Sequence, residues 1–412
     1  MPSKQRLLTG SVDPPHFSLI RKHPMTNHFA LGMTKATDLT KAGKLAEATA
    51  LIRSLLNQGP QEAPAARDHT VIDGSFTRLE DPAPDNAGKV PPAPPPENPP
   101  RKRPSLRETL RRIGAGGMPD HTRPTKGTAP LPAGAQFITL THRNRQGQRE
   151  YKLYLPAARA SSPMPLIVML HGCTQSPDDF AAGTGMNALA EVHGFLVAYP
   201  AQPTGANANK CWNWFKPEDQ GRDRGEPALI AGLTRDILRD HPVDAARIYI
   251  AGLSAGGAAA AIVAAAYPDL FSAVGVHSGL PVGAAHDIPQ AFSAMRSGAR
   301  GTALTHTVPT IAIHGMADGT VHPSNGKAVI AQSLHAFGAL KTTTRKGTSA
   351  GGRTFRQTSH SNSEGRAMCE HWEIDGAGHA WAGGQPQGSY TDPTGPAASD
   401  AMLQFFQQHA QG

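Results

Sequence analysis

Cysteine is scarce: three residues, Cys173, Cys211 and Cys369, in 412. That number excludes a disulfide-built scaffold, and their spacing excludes a CxxC redox or zinc pair. It leaves open one bridge with a free thiol or three free thiols. No apolar run approaches the ~18 residues that span a bilayer, so no transmembrane segment is expected. Neither Met1 nor Met25 is followed by basic residues and then a run of about 7–15 apolar ones, so no Sec-type signal peptide is visible. The net charge of +8 comes without zinc-ligand spacing or a basic strand interleaved with aromatics, so neither a nucleic-acid partner nor a metal is expected.

The charge is unevenly placed. Residues 1–135 hold 19 Lys and Arg against 12 Asp and Glu, whereas residues 136–412 are nearly balanced at 21 against 20. The basic third reads as a solvated segment able to contact a protein or an anionic surface. Within it, MTKATDLTKAGKLAEATALIRSLLN (33–57) spaces Ala36, Leu39, Leu45, Ala48, Leu51, Ile52 and Leu55 as helices do, and Gly43 interrupts them. Two short helices paired as a hairpin fit that pattern, and so does a loosely ordered tail helix. Then comes VPPAPPPENPPRKRP, an extended proline-rich linker. A capping box at Ser105 and Glu108 opens one more short helix, with Leu106, Leu110 and Ile113 on one face. The chain thus divides into an N-terminal segment (1–58), a flexible basic linker (59–135) and a folded domain (136–412).

From Gln136 the texture changes. FITLTHRNRQGQREYKLYLP reads as a hairpin turning near Gln146 and Gly147. PLIVMLHG, GFLVAYPA, RIYIAGLS, FSAVGVHSG, VPTIAIHG and EHWEIDG follow, each a short, nearly all-apolar run without alternation. Such strands are buried on both faces of a parallel sheet. MNALAEVHG, EPALIAGLTRDILRDH and AAAAIVAAAY lie between them with helical character, so the fold class is α/β with a mostly parallel central sheet.

One junction carries chemistry. In RIYIAGLSAGGAAAAIVAAAYP, a strand meets a helix at Gly252-Leu-Ser254-Ala-Gly256. A serine hydroxyl is a weak nucleophile until a base takes its proton, and a strained strand–turn–helix elbow presents it to one. An acid and then a histidine should follow, each in a loop after a later strand. Asp318 follows the strand ending at His314-Gly315. His379 sits in the glycine-rich loop after EHWEIDG. Asp269 reads as a turn residue, Asp375 as a turn residue or a lesser acid, and His314 and His322 crowd the acid and break the order. His277, directly after a strand, is placed to line the site. The expected triad is Ser254, Asp318 and His379. The oxyanion formed on a carbonyl needs two N–H donors, expected from the backbones of Ala255 and of Cys173 in the loop after His171-Gly172.

Taken together, MLHGCTQSPDDFAAGTGMNALAEVHGFLVAYP, CWNWF, IAGLSAGGA, IHGMADGTVHPSNG, GAGHAWAGG and GSYTDPTGPAASDAMLQFF resemble the polyhydroxybutyrate depolymerase family of esterases. This is an α/β-hydrolase group related to feruloyl and acetylxylan esterases, and the resemblance runs from about Gln136 to His409. It implies hydrolysis of an ester substrate through an acyl-enzyme, with no cofactor, and puts the family's nucleophile, acid and base on Ser254, Asp318 and His379. It suggests Trp212, Asn213, Trp214 and Tyr390 as substrate-cleft residues, with an aromatic core cluster as the alternative for CWNWF. Cys173 and Cys211 then both border the site, either bridged or free, and Cys369 is expected as a buried thiol. Family members are typically exported, and those attacking solid polymer usually add a binding domain. Neither a signal nor such a domain is visible here. The expected substrate is a short-chain hydroxyalkanoate polyester, its oligomers or a similar ester. The alternatives are a carbohydrate esterase releasing acetyl or feruloyl groups, and a tethered accessory protein acting through the N-terminal region.

Overall fold

Odd and even residues of the central strands serve two separate cores. In β3 (Met164–Leu170), Leu166, Val168 and Leu170 pack on one face and Ile167 and Met169 on the other. In β5 (Val243–Leu253), Ile248 and Ile250 oppose Tyr249, Ala251 and Leu253 in the same way. Alternate side chains point to opposite faces, so a strand covered on both must be apolar throughout. Each of the Leu, Ile, Val and Met side chains among them contributes about 1.5–3 kcal/mol by leaving water.

The computed structural model describes residues 131–158, 162–304 and 306–411. The expected hairpin of 33–57, the proline-rich linker and the helix opening at Ser105 lie outside them. The remaining strands of the main sheet are β1 (Gln136–Asn144), β2 (Gly147–Leu155), β4 (Leu196–Pro200), β6 (Ala273–His277), β7 (Thr310–Gly315), β8 (Lys341–Thr348), β9 (Thr354–Ser361) and β10 (Ala367–Ile374). They hydrogen-bond in the order β1-β2-β4-β3-β5-β6-β7-β10-β9-β8. The six from β4 to β10 run parallel, and antiparallel hairpins β1–β2 and β8–β9 close the two edges. A small second sheet pairs β11 (Trp381–Ala382) with β12 (Thr391–Asp392).

The expected hairpin turn falls at Arg145-Gln146, where Asn144 faces Gly147. The β8–β9 hairpin was not expected. Its strands are polar and largely exposed, so no apolar run announces them.

One core is covered by α3 (Gly225–Asp240), α4 (Ala255–Ala266), α5 (Ile288–Ser297) and α6 (Ser324–Leu334). The other is covered by α1 (Pro177–Thr184), α2 (Met186–His193) and α7 (Ala398–Phe406). The three helical stretches expected from the sequence are α2, α3 and α4. Among the described residues no helix is long and apolar enough to cross a membrane. Crossovers between parallel strands leave all their carboxyl ends at one edge, where ligands of such sheets bind.

Candidate active site

Ser254 stands between β5 and α4 with φ 59° and ψ −121°, a conformation that costs a side-chain-bearing residue about 1–3 kcal/mol. Its surroundings enforce it. The Ser254 N–H donates to the His277 carbonyl at the end of β6, at 2.9 Å, while α4 begins at the next residue. The flanking glycines are required by close approach. A Cβ on Gly252 would lie 2.3 Å from the Gly256 carbonyl oxygen, and one on Gly256 would lie 2.1 Å from that of Leu170. The elbow is therefore pressed directly against the end of β3.

That contact brings in the loop His171-Gly172-Cys173. Gly172 N–H donates to Gln175 Oε1 at 2.8 Å and Thr174 N–H to the Asn209 carbonyl at 2.7 Å. Among the described residues the Cys173 N–H between them has no acceptor. Ala255 opens α4, so its N–H has no residue one turn earlier to bond. These are the two donors expected for an oxyanion. Cys173 is joined to Cys211 by a disulfide, whereas Cys369 is buried and free.

Asp318, fully enclosed, sits in the loop after β7. Its Oδ1 receives the N–H groups of Thr320 and Val321, each at 2.9 Å, and its Oδ2 receives His379 Nδ1 at 2.7 Å. His314 Nε2 donates to the Val321 carbonyl at 2.9 Å and lies 3.4 Å from the same Oδ2. Burial works to raise the Asp318 carboxyl. The close His314 ring, the hydrogen bond from His379 and the Val321 N–H outweigh it and hold the group well below the usual carboxylate range. The carboxylate keeps the proton of His379 on Nδ1 and leaves Nε2 as an acceptor. Ser254, His379, Cys173, Gly172, Leu253 and Tyr390 line one small cleft.

The rival residues have other work. Asp269 pairs with Arg222 at the surface, and Asp375 accepts from the Thr354 hydroxyl at 2.7 Å. The His322 ring bonds Ser324. His277 does not line the cleft: its buried Nε2 accepts the Ala382 N–H at 3.0 Å, and its ring stacks on Trp381. It links the serine elbow to the segment after the base.

Of the four residues expected to form the substrate cleft, only Tyr390 reaches it. Trp212 is fully buried, with Nε1–H donating to the His171 carbonyl at 3.0 Å, and Trp214 lies in the same core. Asn213 is buried with Glu226 as its partner. They are not among the residues that line the cleft, and Trp212 packs against the His171 loop instead. Gln175 was missed altogether. Its amide joins the Gly172 N–H to Asp179 and Ser389, tying the loop of His171 to Cys173 to the segment that bears Tyr390. A lone glutamine carries no signal for that. Among the described residues no three His, Cys, Asp or Glu side chains gather to hold a metal.

Comparison with known proteins adds relatives to this geometry. The family model described as Esterase PHB depolymerase matches residues 149–354. Poly(3-hydroxyalkanoate) depolymerase C of Paucimonas lemoignei is 35% identical over 229 residues, which span 52% of this chain and 54% of that protein. Feruloyl esterase B of Neurospora crassa is 30% identical over 232 residues, 50% of this chain and 76% of that one. The chain thus spans about half the length of the depolymerase it matches. Among solved structures, an acetyl xylan esterase from Aspergillus awamori shares the fold with a TM-score of 0.52 at 20% identity, covering 66% of this chain and 99% of that one.

Proposed function

The chain belongs to the esterase PHB depolymerase family, and from that premise we propose that it is a serine esterase hydrolysing short-chain hydroxyalkanoate polyesters or their oligomers. The observation that carries this reading is the shared cleft of Ser254 and His379, with Asp318 behind the imidazole and the acceptor-free Cys173 N–H beside it.

His379 Nε2 takes the Ser254 proton as Oγ attacks the ester carbonyl. The N–H groups of Cys173 and Ala255 receive the oxyanion. Collapse of the tetrahedral intermediate expels the alcohol, protonated by His379, and leaves an acyl-serine. Water, deprotonated by the same imidazole, then releases the acid and restores the serine. Asp318 stays ionised throughout and stabilises the imidazolium.

The likeness to the Paucimonas depolymerase supports a polyester substrate. The likeness to feruloyl esterase B, which takes in most of that protein, supports a second reading as a carbohydrate esterase. Hydrolysis of p-nitrophenyl butyrate, 3-hydroxybutyrate oligomers and methyl ferulate by wild type and Ser254→Ala separates them. Turnover of the oligomers should exceed that of ferulate, and Ser254→Ala should lose about 10⁴-fold or more in kcat. Equal rates for the two proteins would sink the serine mechanism, and a strong preference for ferulate would replace polyester with the second reading.

A further inference from the structure

The CWNWF motif is not among the residues that line the cleft, yet Trp212 within it holds the His171 carbonyl of the loop that bears Cys173. Glu226, in the first turn of α3 and 6% exposed, anchors a polar network there. Its Oε2 receives the Asn213 N–H at 2.8 Å. Its Oε1 receives the Asn213 side-chain amide at 2.9 Å and the Gln202 side-chain amide. Arg149, 4% exposed, stands 3.9 Å away and donates to Gln202 Oε1 at 2.6 Å. Asn213 and Gln202 each offer Glu226 a donor, and Arg149 offers it an opposite charge, as a carboxylate requires. Burial, with the charge of Asp219, raises the carboxyl above its ordinary value, and Arg149 and the bonds from Gln202 and Asn213 offset only part of that shift.

The network ends on the loop of the oxyanion donor. Gln202 Nε2 also donates to the Cys211 carbonyl at 2.8 Å, and the Gln202 backbone N–H donates to His171 Nε2 at 3.1 Å. With that nitrogen accepting, His171 Nδ1–H donates to the Gly172 carbonyl at 2.7 Å, the carbonyl whose peptide partner is the Cys173 N–H. Trp212 grips the His171 carbonyl from the same side. The peptide that points Cys173 N–H into the cleft is thus held through His171, Gln202 and Asn213 by one buried carboxylate.

We propose that Glu226 is a positioning residue of the oxyanion hole, orienting the Cys173 N–H through Asn213, Gln202 and His171 without touching substrate or triad. The proposal rests on the esterase reading given above. In Glu226→Gln the new NH₂ meets a donor in either orientation, the Asn213 backbone N–H at the Oε2 position or the Asn213 and Gln202 side-chain amides at the Oε1 position, so the network must shift. A misplacement of about 1 Å near a reacting centre costs roughly 10²-fold, and complete loss of one oxyanion donor about 10²–10³-fold.

The test uses the full chain with p-nitrophenyl butyrate and a trifluoromethyl ketone, whose hemiketal puts an oxyanion in the hole. For Glu226→Gln we expect kcat per folded enzyme to fall about 10–100-fold, on the scale of those losses, with KM within about threefold. Inhibition by the ketone should weaken by the same factor as kcat/KM. Asn213→Ala removes one arm of the network, should shift the same quantities less, and serves if Glu226→Gln does not fold. Undiminished kcat in folded variants, or a loss confined to KM, would overturn the proposal. Ser254→Ala run in parallel keeps the two questions apart. Wild-type turnover there overturns the serine mechanism, whereas an inert Ser254→Ala beside a fully active Glu226→Gln overturns only the role of Glu226.

Discussion

Removing the Cys173–Cys211 bridge should lower stability and rate by amounts that can be read separately. The bridge joins residues 38 apart, for which the chain-entropy relation gives roughly 3.9 kcal/mol at 25 °C. Residual structure in the unfolded chain makes that an upper value. A folded region of about 280 residues unfolds with an entropy near 0.6 kcal/mol per kelvin, so Tm should drop by about 6 °C. The effect on rate comes through Cys173 itself, which lines the cleft and whose N–H has no acceptor among the described residues. Gln175, Trp212 and Gln202 still hold the loop when the bridge is gone, so kcat should fall about tenfold, short of the 10²–10³ for losing a donor outright. The double variant Cys173→Ala/Cys211→Ala is measured by scanning calorimetry and by p-nitrophenyl butyrate kinetics. Cys369 does not complicate the comparison, since burial pushes its thiol up to about 12 and keeps it unreactive. A Tm within 1 °C of wild type (about 0.6 kcal/mol on the same scale) would refute the loop-closure reasoning. A lowered Tm with unchanged kcat would refute the link between bridge and oxyanion hole.

Asp318→Asn should reduce kcat about 10³–10⁴-fold with little change in KM, by steady-state kinetics on the same ester. An amide cannot accept from His379, Thr320 and Val321 together, and its NH₂ facing His379 favours the wrong tautomer. Acid should also weaken the fold. Burial, foremost, lowers His171 to about 4 and His277 to about 3, against about 6.5 in an unfolded chain. Between those values the unfolded chain binds protons that the folded one refuses. Stability is therefore full above about pH 6.5 and falls below it, by up to about 1.4 kcal/mol per pH unit for each histidine. Asp318, held low, acts in the same direction at lower pH: its contribution is present above about pH 4 and is lost as pH falls further. Urea midpoints at pH 7, 6 and 5 test this, and a flat profile would contradict the neutral, buried state of both rings.

The parallel strands and the elbow were legible in the sequence because their physics is local. A strand buried on both faces is apolar at every position, and a strand-to-helix turn that brings backbones within contact needs glycine at Gly252 and Gly256. The order of Ser254, Asp318 and His379 could be read because each follows a recognisable strand. CWNWF was harder. Tryptophans beside a cleft and tryptophans beneath one have the same composition. What separates them is the partner, Glu226, which lies 13 residues beyond Asn213 at the start of a helix. The β8–β9 hairpin shows the opposite limit, with a Thr- and Lys-rich edge leaving no hydrophobic pattern to follow.

That edge has a colloidal consequence. Among the described residues β8 ends the sheet with one row of backbone hydrogen-bonding groups unpaired by any neighbour in the sheet order, the arrangement that invites a strand from another molecule. Its eight residues, KTTTRKGT, hold Lys341, Arg345 and Lys346 and no acid. A second β8 laid alongside would bring six cations together without a carboxylate between them. Where protein molecules are crowded, edge-to-edge growth would bury them in their own aggregates. The cationic edge works against such growth, so crowded molecules are kept separate.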